Sequence, residues 1–107
     1  MVINPFDVYF VDLNLTVGSE IKKIRPCVII SPDDVNTVLN TVIVAPLTST
    51  IRNFPTRINC IIEGKKGQIV IDQLRAIDKL RLKQKLDTLD KKTAFEVLKN
   101  IQDLFSY

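Results

Sequence analysis

Short runs of apolar and β-branched residues alternate with polar turns along most of the chain, and the period changes only near the C-terminus. Phe6-Asp7-Val8-Tyr9-Phe10-Val11-Asp12-Leu13 is rich in side chains that fit a pleated surface and predicts strand one. Asn14 to Ile24 reads as a long polar loop. Pro26 to Ser31 predicts strand two, and Pro32-Asp33-Asp34 marks a turn that opens one short helical turn. Thr41-Val42-Ile43-Val44-Ala45 predicts strand three, closed by Pro46-Leu47-Thr48-Ser49. Ser49 to Pro55 forms a second loop, after which Thr56 to Ile62 resumes strand character. Glu63-Gly64-Lys65-Lys66-Gly67 reads as a tight turn, Gln68-Ile69-Val70-Ile71 as a fifth strand, and Leu80 to Leu89 as one more.

From Asp90 the spacing becomes helical. Asp90 is a plausible N-cap, and Ala94, Val97, Leu98, Ile101, Leu104 and Phe105 recur every three or four residues, the period of an apolar helical stripe. Such a helix covers either the sheet or an oligomer partner. Short strands, short turns and no long crossover helices predict a mainly β (α+β) domain: a small, strongly bent, SH3-like antiparallel barrel with a C-terminal helix. With no repeat, low-complexity tract or linker, residues 1–107 read as a single domain.

A hydrophobic content of 46% and a charged content of 25% suit an ordinary globular core. No apolar run approaches the roughly 18 to 20 residues that span a bilayer, and Met1-Val2-Ile3-Asn4-Pro5 does not open a signal sequence, so a cytoplasmic protein with no membrane partner is expected. Cys27 and Cys60 lie inside strand-like runs and read as buried thiols. With no histidine and only two cysteines, the usual four-ligand structural zinc site cannot be assembled, and no cofactor is expected. The net charge of +3 is a mild bias toward anionic partners. Its distribution is uneven: residues 1–20 hold Asp7, Asp12 and Glu20 with no basic residue, whereas Lys79 to Lys92 holds six basic residues against Asp87 and Asp90. That basic run is either a solvated face or a surface for RNA or an acidic partner.

The candidate chemistry sits at loop ends. Gly18-Ser19-Glu20-Ile21-Lys22-Lys23-Ile24-Arg25-Pro26 runs into the apolar Cys27-Val28-Ile29-Ile30, which mounts Arg25 at the mouth of a buried strand. Thr48 and Ser49 close the next strand. An arginine, a carboxylate and a hydroxyl converging at one end of a barrel are parts for handling a phosphodiester. Cleaving a phosphodiester by attack of a hydroxyl needs a base, a proton for the leaving oxygen, and donors for the charge growing on phosphorus. Glu20 can accept a proton, Arg25 offers forked donors to phosphate oxygens, and Thr48, helped by Ser49, can hydrogen-bond the same phosphate. Arginine's free pKa of about 12.5 to 13.8 suits charge stabilisation better than proton donation. Each residue also has a plainer reading: Arg25 paired with Asp7 or Asp12, Glu20 a solvated loop carboxylate, Thr48 a turn-capping hydroxyl, and Asp72 an internal partner of Arg75.

Five segments in order, Asp7 to Leu13, Gly18-Ser19-Glu20 with Arg25-Pro26, Pro46-Leu47-Thr48-Ser49, Phe54-Pro55-Thr56 and Asp72 to Lys79, resemble the MazF/PemK family of toxin endoribonucleases over nearly the whole chain. The resemblance implies a CcdB/PemK-like barrel and metal-independent, sequence-specific cleavage of single-stranded RNA. It also implies a homodimer and a cognate antitoxin whose disordered tail wraps it. On that resemblance Arg25 and Thr48 fall on the family's catalytic arginine and threonine, and Glu20 on the carboxylate of its Gly-Ser-Glu motif. Two positions depart from it: Phe6 stands where members commonly carry glycine, and Val70 where some relatives use an arginine for cleavage.

Single-stranded RNA is read by splayed bases stacked on aromatic or arginine planes and hydrogen-bonded at their edges. The RNA-binding candidates are therefore Arg52 and Phe54 in one loop and Ser19, Lys22 and Lys23 in the other, with Ser49 and Gln73 beside them. Phe54 has an alternative as a loop anchor. Two rival functions remain at this stage. One is a non-catalytic toxin like CcdB, which poisons DNA gyrase by binding; the other is a barrel that binds RNA without cutting it. The C-terminus Gln102 to Tyr107 lacks the terminal tryptophan associated with gyrase poisoning.

Overall fold

In the computed structural model, residues 2–13 and 24–107 are described. They form β1 (Asp7–Asp12), β2 (Ile24–Ile29), α1 (Asp33–Val38), β3 (Thr41–Thr48), β4 (Arg57–Ile62), β5 (Lys65–Val70), β6 (Arg75–Asp78), β7 (Leu82–Thr88) and α2 (Lys91–Leu104). Single 3-10 turns at Ile71–Gln73 and Lys79–Arg81 flank β6. All strand pairings are antiparallel, in the order β4-β5-β3-β2-β1-β7, with β6 beside β3. The result is the expected bent antiparallel β half-barrel closed by a C-terminal helix.

The sheet has apolar cores on both faces. In β1, Val8 joins Val28, Leu47, Ile58, Ile69 and Val97 on one side, while Tyr9 and Val11 join Cys27, Ile29, Val44 and Ile77 on the other. That is why β1 and β2 read as near-continuous apolar runs. Register shifts between β1 and β7 at Val8/Tyr9 and Tyr9/Val11 sharpen the twist and bend the sheet. The two ends of the strand order are bridged by the Glu63 N–H, which donates to Asp87 Oδ2 at 2.9 Å.

β3 has two neighbours on one edge. Thr41 to Val44 pair with β6, and Leu47 and Thr48 pair with β5. Pro46, with no N–H to give, sits in the gap between them, so a strand expected to end at Ala45 runs on to Thr48. The turn expected over Glu63 to Gly67 is tighter, since β5 begins at Lys65, and Ile71 leaves the strand for a 3-10 turn. The strand expected from Leu80 begins at Leu82, and Leu80 is exposed. β6 was not expected at all.

Asp90 caps α2, its Oδ1 accepting from the Thr93 N–H at 2.7 Å. Of the expected stripe, Val97 is buried and Ala94 and Ile101 half-buried, but Leu98, Leu104 and Phe105 are exposed. The helix rests chiefly on β4 and the Ile71–Gln73 turn, a bed that leaves part of the stripe uncovered. No helix among the described residues is long and apolar enough to cross a membrane.

Phe6 has φ 69°, in the left-handed region that favours glycine. Its N–H donates to Ile29 O at 2.7 Å and its carbonyl accepts from the Leu89 N–H at 3.0 Å, while its ring packs on the first core. The aromatic is half-buried against that core.

Candidate active site

Strand register builds the site. β2 and β3 pair through Cys27↔Pro46, Val28↔Ala45 and Ile29↔Val44. Continued two residues beyond Cys27, this register sets Arg25 across from Thr48. Thr48 in turn pairs with Gln68 of β5, and Gln68 with Asn59 of β4. Opposed residues of antiparallel strands share a face. Arg25, Thr48, Gln68 and Asn59 therefore lie in one polar row across four strands.

Arg25, Thr48 and Ser49 line a cleft of about 450 Å³. Its lining is also apolar, from Phe10, Pro26, Leu47, Cys60, Ile62 and Leu86, with Glu63, Lys65 and Lys66 among the remaining wall residues. Three cations against one carboxylate give the cleft a positive balance. The Arg25 side chain is exposed and its guanidinium forms no hydrogen bond or ion pair with any described residue. Asp7 is held elsewhere, by Lys85 Nζ at 3.3 Å, by the Thr88 hydroxyl at 2.9 Å and by the Asn4 N–H at 3.2 Å. Thr48 Oγ1 accepts from the Thr50 N–H at 3.1 Å, which fixes the oxygen and leaves its proton for another acceptor. The Gly67 backbone passes so close to this corner that a Cβ there would lie 2.9 Å from the Thr48 carbonyl oxygen.

The loop from Ser49 to Pro55 is tied from below. Gln68 Oε1 accepts from the Arg52 N–H at 3.0 Å, and its Nε2 donates to Arg52 O at 3.2 Å and to Asn59 Oδ1 at 2.9 Å. Arg57 Nη1 donates to Gln68 Oε1 and to Thr50 O, and its guanidinium lies 5.4 Å from the centre of the Phe54 ring. Phe54 is exposed, and Asn100 Nδ2 holds Pro55 O at 2.7 Å. Arg52 and Phe54 thus follow the cleft on a braced loop without lining it.

Gln73 stands exposed in the 3-10 turn and does not line the cleft, and no ion pair joins Asp72 to Arg75. Ser19, Glu20, Lys22 and Lys23 lie outside the described residues. Of the basic run, Lys79 donates to Asn36 O, Arg81 Nη1 to Asp12 O and Lys85 pairs with Asp7, so half of it is structural. Burial pushes the Cys27 thiol up to about 12, despite Arg75 and Arg25 nearby, and Cys60 up to about 11; neither is a nucleophile near neutral pH. Among the described residues no three His, Cys, Asp or Glu side chains come together as a metal-binding group. Sequence reasoning missed Gln68, Arg57 and the cleft-lining Lys65 and Lys66. A glutamine amid Ile69, Val70 and Ile71 was the available signal for Gln68.

Fold and cleft together define a small β-barrel protein with a cation-rich cleft. Residues 4–105 match the family described as PemK-like, MazF-like toxin of type II toxin-antitoxin system, and the chain belongs to that family. It is 40% identical to endoribonuclease MazF of Staphylococcus epidermidis, over 85% of this chain and 81% of that protein. It is 36% identical to endoribonuclease EndoA of Bacillus subtilis, over 84% and 83%. The fold is shared with MazE-MazF from Deinococcus radiodurans, with a TM-score of 0.84 at 21% identity, covering 97% of this chain and 96% of that one. A mycobacterial endoribonuclease in complex with its cognate antitoxin gives 0.83 at 19% identity, with 98% of each chain covered.

Proposed function

We propose that this MazF-type endoribonuclease toxin cuts single-stranded RNA at chosen sequences without a metal, at the phosphate held between Arg25 and Thr48. The observation that carries this reading is the placement of an unpartnered guanidinium and an oriented hydroxyl across from each other in one cationic cleft. The RNA 2'-oxygen bonds to phosphorus as the bond from phosphorus to the 5'-oxygen breaks. Glu20 takes the 2'-hydroxyl proton, and the departing 5'-oxygen collects a proton from solvent. Arg25 binds the two non-bridging oxygens as their charge grows, and Thr48, with Ser49, donates to the same phosphate. The products are a 2',3'-cyclic phosphate and a 5'-hydroxyl.

Base selection falls to Arg52 and Phe54 on the braced loop and to Ser19, Lys22 and Lys23 in the segment that precedes β2 in sequence. Gln73 meets RNA only along a path beyond the reacting phosphate. Relatives of fold were solved with an antitoxin bound, and we extend such a cognate partner to this chain. Phe95, Leu98 and Phe105, exposed together on the outer side of α2, supply apolar area for a second copy or for that antitoxin. Two free, buried thiols suit a reducing compartment and support a cytoplasmic toxin. The gyrase-poison reading rested on fold alone, whereas these relatives in sequence are endoribonucleases. The test is the chemistry of the ends: incubation with a long single-stranded RNA in excess EDTA gives discrete cuts with 2',3'-cyclic phosphate and 5'-hydroxyl termini. Intact RNA, or 5'-phosphate and 3'-hydroxyl ends, overturns the reading.

A further inference from the structure

The geometry points to Gln68 as the residue that positions the base-reading loop, and so as a determinant of where RNA is cut; this rests on the endoribonuclease reading above. Gln68 is buried, at 4% exposure, yet every polar atom of its amide is used. It clasps the Arg52 main chain at both N–H and carbonyl, as a sheet neighbour would, although Arg52 lies in a loop. Through Oε1 it also orients Arg57, whose guanidinium faces Phe54. One side chain therefore fixes the backbone of one candidate base contact and the ring environment of the other. Arg25 and Thr48 do not depend on its side chain in this way: Arg25 pairs with Val11 of β1, and Thr48 pairs with residue 68 through the strand ladder, which a side-chain substitution keeps.

Removing the clasp frees the loop while leaving the reacting pair in register. The variants are Gln68→Met, which keeps length and loses all polar contacts, and Gln68→Glu. The latter keeps the acceptor for the Arg52 N–H and Arg57 and sets a carboxylate against Arg52 O and Asn59 Oδ1. The readout is a map of cut sites on one long RNA, with kcat and KM on a short RNA carrying the preferred site. Gln68→Met, which loses all four hydrogen bonds of the clasp, is expected to cut additional sites and to raise KM by roughly 5- to 50-fold, with kcat changed far less. Gln68→Glu is expected between it and the parent. A purely structural role lowers the melting temperature and leaves the cut-site map unchanged. Folded variants with the parental map and KM overturn the assignment, as does failure of both variants to fold. Failure of the parent itself to cut RNA instead overturns the function on which the inference rests.

Discussion

Arg25 and Thr48 line one cleft: the β2–β3 register that runs from Ile29↔Val44 to Cys27↔Pro46, carried two residues further, sets them across from each other, and no ion pair with a described residue competes for Arg25. A planar fork at residue 25 can hold two phosphate oxygens at once; an ammonium holds one at a time. Arg25→Lys therefore keeps the charge and still loses cleavage, on the order of 100-fold in kcat, while Thr48→Ser loses much less than Thr48→Val. Single-turnover cleavage of a defined RNA distinguishes this from a site needing charge alone, in which Arg25→Lys is nearly neutral.

Two glycines give opposite outcomes. Gly67→Ala drives a methyl toward the Thr48 carbonyl oxygen, which is backbone and cannot swing away, so the reacting corner shifts. Displacements of this kind cost on the order of 10- to 100-fold in kcat/KM. Gly64 has φ 78° with nothing within 4 Å of the added carbon. Gly64→Ala is strained, costing about 1 kcal/mol of stability, and cuts RNA as the parent does. Urea unfolding and initial rates on the two variants check both halves.

Phe6 reverses the usual order of alanine and glycine. Both replacements lose the ring's core contacts, but Phe6→Ala keeps a Cβ in the left-handed region while Phe6→Gly does not. Phe6→Gly is expected to be more stable than Phe6→Ala by about 1 kcal/mol, with both below the parent. Denaturant midpoints at constant slope decide it.

The buried thiols set an alkaline limit. Their ordinary value here is 9.0, and burial raises Cys27 to about 12 and Cys60 to about 11. Above pH 9 the unfolded chain releases thiol protons that the folded chain keeps, so the unfolded state binds fewer protons and stability falls as pH rises toward those values. Burial, with Asp7 adding to it, raises the Tyr9 hydroxyl in the same direction. A Cys27→Ala, Cys60→Ala double variant loses stability less steeply over this range, whatever its starting value. An identical slope contradicts the thiol contribution.

Much of this fold is legible in the chain because β1, β2 and β4 announce themselves through β-branched residues, and Asp90 with Val97 and Ile101 announces α2. β6 is not legible. Arg75-Ala76-Ile77-Asp78 is too short to show a period, and only the free edge of β3 at Thr41 to Val44 makes it a strand. Thr48 and Arg25 stand out as chemistry because each ends or opens an apolar run, but their opposition is a property of register. Gln68 was missed because its partners, Arg52 and Asn59, are 16 and 9 residues away. Lys65 and Lys66 read as turn residues, and only the curl of the sheet brings them to the cleft that Arg25 also lines.

The most direct measurement is a cycle of Arg25→Ala, Thr48→Val and the double variant against the parent, on one RNA in excess EDTA under single-turnover conditions. Two groups acting on one phosphate act as a unit, so their effects do not add. The predicted result is parental cutting, a loss on the order of 100-fold or more in each single variant, and a double variant hardly worse than the weaker single. Parental rates in either folded single variant, or losses that multiply in the double, contradict a single phosphate held between Arg25 and Thr48.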